Sequence, residues 1–243
     1  MSEDYFKQLL LYAAFFVIVS WLGGIIPILK TWNSSRQKLF ISFGAGALLG
    51  AAFLHMIPEA AAITGAGLGL PMLVGFLLLY VLEKFVMLHI CEANIKIHTV
   101  GWSSFIGLSI HSLATGVALG AGLMANELGV VVFGAILLHK FPEAFSLSCL
   151  LLREQMSRMH ILLFIISFSL MVPAGALLTL LFENSISESM LGWLIAFSSG
   201  TFIHVAAGDL LPEMHVQSNS KSTTLLPFLA GILIMWIATL VHI

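Results

Sequence analysis

The chain has 243 residues, of which 59% are hydrophobic and only 9% are charged, and its net charge is close to zero at −2. Soluble domains usually carry about 25% charged residues, so this composition excludes a soluble globular protein. The lack of a basic excess also removes the electrostatic basis for binding nucleic acid. No loop is long enough for a second folded domain, so we expect an integral membrane protein in which residues 1–243 form a single transmembrane domain surrounded by the lipid bilayer.

Eight apolar runs are long enough to cross a bilayer, because a spanning helix needs about 20 such residues. In chain order they cover residues 9–29, 39–57, 71–91, 103–125, 128–152, 161–182, 190–207 and 225–241. The third run contains Glu83 and Lys84, which cannot both face lipid at low cost. The predicted fold is therefore all-α, a polytopic membrane protein with eight transmembrane helices.

The basic residues between the runs predict the orientation, because Lys and Arg collect in cytoplasmic loops. Seven of them follow the odd-numbered helices, and one, Lys7, lies on the opposite side. The seven are Lys30, Arg36, Lys38, Lys96, Arg153, Arg158 and Lys221. We therefore expect both termini to be extracellular or lumenal, and the counts do not distinguish the plasma membrane from that of an organelle.

Two predicted helices end in a similar short pattern. The second ends in His55-Met-Ile-Pro-Glu59 and the seventh in Asp209-Leu-Leu-Pro-Glu213. By the predicted orientation, these ends lie on opposite faces of the membrane. Such an echo is expected of an inverted repeat of helices 1–3 and 6–8, a symmetry that many transporters have.

The most informative polar residues lie in the middle of the fourth and fifth helices, where buried polar groups are usually functional. His111 shares a helical face with Thr115, four residues later, and Ser112 adds a second hydroxyl. His139 and Glu143 are also four residues apart and share a face. Two imidazoles and a carboxylate at similar depth suit zinc, and also manganese or ferrous iron.

Other interpretations of these residues are open at this point. A single histidine in a membrane helix often only hydrogen-bonds a neighbouring helix. Lys140 either neutralises Glu143 or Glu83, or occupies, as a fixed cation, the place of a second metal ion. The paired glycines Gly116 and Gly120 predict that another helix approaches the fourth one closely.

The stretches His111-Ser-Leu-Ala-Thr-Gly116 and His139-Lys-Phe-Pro-Glu143 resemble the fourth- and fifth-helix signatures of the ZIP (Zrt/Irt-like) family of divalent metal transporters. Within that family the chain is similar to the short members that lack a large extracellular domain. The resemblance implies a 3+2+3 arrangement of eight helices, outside termini and transport into the cytoplasm.

The resemblance also implies roles for individual residues. His111, His139 and Glu143 match the family's ligand positions, with Ser112 and Thr115 beside them. The family has an acidic residue where this chain has Thr115, and members with two acids and no lysine resemble binuclear sites. Thr115 and Lys140 together therefore imply a single metal ion, whose last ligand stays unidentified.

The family places polar entrance and exit residues on the second and seventh helices. The candidates here for the pathway or for a further ligand are His55, Glu59, His204 and Asp209. His204 and Asp209 are five residues apart, so in an α-helix they would share a face only loosely.

The predicted protein is thus a transporter rather than an enzyme, with Zn²⁺, or Fe²⁺ or Mn²⁺, as its substrate and no prosthetic group. Transport should weaken as the pH falls toward about 6.5, where histidine ligands gain protons. The rival hypothesis is an intramembrane zinc hydrolase that uses Glu143 as its base, although the sequence contains no HExxH motif. A purely structural membrane protein is a third hypothesis, and a homodimer is left open.

Overall fold

A computed structural model describes residues 3–29, 32–90, 99–124, 128–181, 187–212 and 221–241. These residues form helices and no strands, which confirms the predicted all-α class. The α-helices are α1 (Glu3–Ile25), α2 (Ser34–Ala51), α3 (Ile57–Thr64), α4 (Gly69–Ile90), α5 (Thr99–Met124), α6 (Leu128–Arg153), α7 (Arg158–Ser169), α8 (Met171–Leu181), α9 (Glu188–Ile203) and α10 (Lys221–Val241). Glu213, Lys30 and Lys96 from the sequence patterns lie outside the described residues.

Long apolar helices confirm that the chain is a polytopic membrane protein. Among the described residues, five helical stretches are long and apolar enough to cross a bilayer. They are Tyr5–Ile28, Ser35–Lys84, Ser104–Leu123, Arg158–Thr179 and Glu188–Leu210, and the apolar helix Thr224–Leu240 is shorter. The 50-residue stretch runs from the start of α2 through α3 and into α4, with a turn at Gly65 (φ +56°) before α4. The arrangement of eight spans stays a prediction.

The predicted sixth run is interrupted near its centre. The α-helix ends at Ser169, Leu170 forms a turn, and α8 begins at Met171. Pro173 has no N–H with which to bond the carbonyl four residues earlier, at Ser169. The proline therefore accounts for the break without ending the apolar stretch.

Two of the helices widen into π-helical segments just before a Pro-Glu pair in the sequence. One segment is Ala52–Met56, between α2 and α3, and the other is His204–Leu210, after α9. π-Helical turns are rare and occur often at functional sites. The two stretches with the similar sequence pattern therefore also share a π-helical segment.

Glycines allow several helices to pack backbone against backbone. A side chain at Gly116 would collide with the carbonyl oxygen of Val172, and one at Gly175 with the carbonyl oxygen of Leu113. The helix that approaches the Gly116-to-Gly120 pair is thus α8. Close crossings of this kind fix the rotation of α5, and with it the direction in which His111 points.

Similar crossings join two further pairs of helices. Gly46 on α2 lies against the carbonyl of Phe228 on α10, and Gly75 on α4 lies against the carbonyl of Phe197 on α9. Between these pairs, α5 and α6 pack against each other, α6 also contacts α1 and α2, and α5 also contacts α8 and α9. The polar residues of α5 and α6 are consequently enclosed by other helices rather than by lipid.

Candidate metal centre

The three predicted ligands meet at one buried position. His111 on α5 and His139 and Glu143 on α6 each offer a ligand atom, and these atoms lie within 4.8 Å of one another. The imidazole centroids are 5.6 Å apart, and all three side chains are almost completely inaccessible to solvent. Zinc bonds of about 2.0–2.2 Å put ligand atoms roughly 3–4 Å apart, so small side-chain rotations would bring this set onto one ion.

The imidazole of His111 has unused binding capacity. Both of its ring nitrogens are buried, and neither has a hydrogen-bond partner among the described residues. Buried polar atoms are nearly always hydrogen-bonded. A metal ion bound between this imidazole, the second imidazole and the carboxylate would give His111 the partner that it lacks among the described residues.

Lys140 pairs with Glu143, which is one of the two partners that the sequence left open. Its ammonium lies 3.1 Å from Oε2 of Glu143 and donates a 2.6 Å hydrogen bond to Oγ of Ser112. Ser112 in turn donates a 2.9 Å bond to Oε1 of Glu143. The ammonium also lies 3.9 Å from the ring centroid of Phe168. This network satisfies a fully buried cation, which would otherwise be costly.

The hydroxyl groups beside the cluster are both engaged. Ser112 belongs to the network of Lys140 and Glu143, whereas Thr115 donates a 3.0 Å hydrogen bond to the backbone carbonyl of Ser112. The family's acidic position is thus occupied by a neutral hydroxyl whose proton is used within its own helix. That Ser112 and Thr115 bind the metal ion stays a prediction.

A small cavity reaches His139 from one side. Its volume is about 40 Å³, enough for a few water-sized particles, and its lining includes Glu59, Thr115 and Ser198. Glu59 is an exposed residue of α3, so the cavity lining includes a carboxylate. His55, in the first π-helical segment, is half-buried and does not contribute to the cavity lining.

The two candidates on the seventh predicted helix lie together in a second cluster. His204 and Asp209 each have a ligand atom within 4.8 Å of a carboxylate oxygen of Glu83. In an α-helix two residues five apart share a face only loosely, but a π-helix bonds residue i to residue i+5 and brings them onto one face. The sequence missed Glu83 as a site residue, although an acid inside an apolar run was the available signal.

Phe202 is a further residue that sequence reasoning missed. Its fully buried ring lies with its centroid 3.8 Å from that of His111 and 5.9 Å from that of His139. It therefore covers both imidazoles from the side of α9. Nothing in the apolar run around Phe202 distinguishes it from its neighbours, because its importance depends on a contact between distant segments.

A polytopic helical membrane protein with a buried imidazole and carboxylate cluster between packed helices has the features of an ion transport protein. The family model described as ZIP Zinc transporter matches residues 89–239. The chain belongs to this family, which consists of transporters rather than enzymes, so the prediction that it is not an enzyme is confirmed.

Individual relatives agree with the family assignment. Zinc transporter ZIP9-A of Xenopus laevis is 28% identical over 267 residues, covering 89% of this chain and 88% of the relative. Zinc transporter ZIP13 of Pongo abelii is 28% identical over 244 residues, covering 88% and 74% respectively. Zinc transporter ZIP9 of Macaca fascicularis is 38% identical over 117 residues, covering 45% of this chain and 50% of the relative.

Proposed function

We propose that this chain carries zinc across a membrane into the cytoplasm through a site for one ion formed by His111, His139 and Glu143. The observation that carries the proposal is that three buried ligand atoms from two helices lie close together, and that one of them belongs to an imidazole with no hydrogen bond to any described residue. The names of the relatives support zinc as the substrate. Fe²⁺ and Mn²⁺ accept similar ligands and are the natural competitors.

The position of Lys140 supports a single ion rather than a pair. A second ion bridged by Glu143 would compete with an ammonium 3.1 Å from Oε2. At a separation of about 4 Å and an effective dielectric constant of about 20, a divalent ion and an ammonium repel each other by about 8 kcal/mol. The fixed positive charge therefore takes the place that a second metal would need.

We further propose the 3+2+3 arrangement of eight helices, with helices 1–3 and 6–8 as an inverted repeat and both termini outside. The paired crossings of α2 with α10 and of α4 with α9 support it, as do the two π-helical segments. In alternating access, the site would open first toward the cavity beside Glu59 and then toward the opposite face.

The test is zinc influx into proteoliposomes that contain an entrapped zinc indicator, with Fe²⁺ and Mn²⁺ added in turn as competitors. His111→Ala is the cleanest variant, because the imidazole makes no hydrogen bond within the described residues that its removal would break. We expect at least a tenfold loss of influx. His160→Ala is the matched control, since His160 is exposed near the start of α7.

Normal influx in His111→Ala and His139→Ala would refute the site. A zinc ion held tightly at one per chain, with no influx under any gradient, would instead favour the hydrolase hypothesis. Size-exclusion chromatography of each variant separates loss of transport from loss of folding.

A further inference from the structure

We propose that Ser198 on α9 holds the water molecule that completes the coordination of the transported zinc ion. The inference rests on the proposed function and adds a positioning residue to the site of His111, His139 and Glu143. Zinc sites with three protein ligands usually keep a water molecule in the fourth position. The sequence motifs leave that fourth position without a protein ligand, so the residue that orients the water has to be found in the structure.

The hydroxyl of Ser198 differs from the other hydroxyls around it on α9. Ser199 donates a 2.7 Å hydrogen bond to the carbonyl of Ala196, and Thr201 donates one of 2.7 Å to the carbonyl of Ser198. Serine and threonine in helices often use a carbonyl three or four residues earlier in this way. Oγ of Ser198 instead has no hydrogen-bond partner among the described residues, although Ser198 is only 1% exposed. Because buried hydroxyls are nearly always hydrogen-bonded, this one calls for a partner that the described residues do not supply.

The hydroxyl borders the small cavity that reaches His139. Ser198, Thr115 and His139 all contribute to the lining of this cavity, whose volume is about 40 Å³. A buried water needs roughly 10–15 Å³ of such volume and two to four polar partners. The cavity therefore has room for more than one water molecule beside a proposed zinc ligand.

A second contact of α9 indicates that the same face of the helix is turned toward the metal ligands. Phe202 lies four residues after Ser198, one turn further along the same face of an α-helix. Its ring centroid is 3.8 Å from that of His111 and 5.9 Å from that of His139. Ser198 thus lies one helical turn from the contact with both imidazoles, and it borders the cavity on this face.

A water between Ser198 and the ion fits these contacts better than a direct bond. The usual zinc ligands are thiolate, imidazole and carboxylate groups, and a neutral serine hydroxyl is not among them. A water bound to zinc is polarised by the ion and donates strong hydrogen bonds, one of which Oγ of Ser198 can accept. A second water in the cavity can in turn accept the proton of the hydroxyl. The water on zinc would then have a fixed orientation.

Metal binding to the full-length protein in lipid nanodiscs tests the proposal, with zinc and cobalt as the probes. Ser198→Ala removes the hydroxyl and should weaken zinc binding at least tenfold, which is the usual effect of losing a group that orients a metal ligand. Ser198→Thr keeps a hydroxyl and should recover most of the affinity. Ser199→Ala is the matched control, since it removes a fully buried hydroxyl that already bonds to the carbonyl of Ala196.

Two further measurements distinguish the orientation of a water from a structural role. The visible absorption of bound cobalt depends on the number and geometry of its ligands. At saturating cobalt, Ser198→Ala should change this spectrum, whereas Ser198→Thr and Ser199→Ala should keep it. Without metal, Ser198→Ala should not lower the midpoint of thermal unfolding, because the hydroxyl that it removes has no partner among the described residues.

The outcomes separate this inference from the proposed function. Wild-type zinc affinity and an unchanged cobalt spectrum in Ser198→Ala, with binding lost in His111→Ala, would overturn the role of Ser198 and leave the site intact. Equal weakening in Ser198→Ala and Ser199→Ala would also overturn it, since the effect would then be structural. Zinc binding that persists unchanged in His111→Ala would instead refute the proposed site itself.

Discussion

Replacing Lys140 with methionine measures what the internal ammonium contributes to the proposed zinc site. Methionine has a similar length and no charge, so Lys140→Met removes the cation and keeps most of the volume. The ammonium now lies 3.1 Å from Glu143 and 3.9 Å from the centroid of Phe168. Within the part of the chain that the structure describes, the substitution therefore leaves the carboxylate of Glu143 with the hydrogen bond from Ser112.

Two opposite effects follow from this geometry. In the absence of metal, breaking a buried ion pair should lower the free energy of unfolding by about 3–5 kcal/mol. In the presence of zinc, the ion no longer competes with an ammonium for Glu143, and the repulsion of several kcal/mol between the two cations disappears. We expect zinc to bind at least ten times more tightly, a gain of about 1.4 kcal/mol or more.

Thermal unfolding in detergent, with and without zinc, measures both effects on one sample. Lys140→Met should unfold at a lower temperature than the wild type without metal, and zinc should raise its midpoint more than that of the wild type. Lys7→Met, at an exposed lysine of α1, is the control. Zinc affinity that is unchanged or weaker in Lys140→Met would refute the idea that the ammonium competes with the metal.

Two further substitutions test the packing and the entry of the ion. Gly116→Leu should lower the free energy of unfolding by about 1–3 kcal/mol, because the new side chain would collide with the backbone of α8. Gly69→Leu, where no atom lies within 4 Å of an added Cβ, should unfold like the wild type in the same melting assay. Glu59→Gln should raise the zinc concentration for half-maximal influx about threefold without changing the maximal rate, because a carboxylate at the cavity attracts the ion. Equal concentration dependence in Glu59→Gln and in Glu188→Gln, an exposed acid on α9, would contradict that role.

The membrane class and the candidate cluster of His111, His139 and Glu143 could be predicted from the sequence because both depend on local properties. Apolar length predicts a spanning helix regardless of what the helix packs against. A four-residue spacing puts His139 and Glu143 on one face of any α-helix, and the structure brings both to His111. The similarity of these two motifs to a known family adds the expectation that the two helices face each other.

The π-helical turns could not be read from the sequence in the same way. The five-residue spacing of His204 and Asp209 predicted a loose alignment in an α-helix, whereas the wider turn of His204–Leu210 stacks them. A π-helix differs from an α-helix by one residue per hydrogen-bonded ring, and no residue type specifies it.

The sequence by itself therefore determined that this protein lies in a lipid bilayer. It also determined the approximate helices and which residues share a helical face. The tertiary structure decided which side chains meet: Lys140 with Glu143, Glu83 with His204 and Asp209, and Phe202 with the imidazoles of His111 and His139. The reason is physical, since hydrophobicity and helical period act over a few neighbouring residues. The rotation and register of one helix against another depend on close crossings such as that of Gly116 with α8, which join residues far apart in the chain.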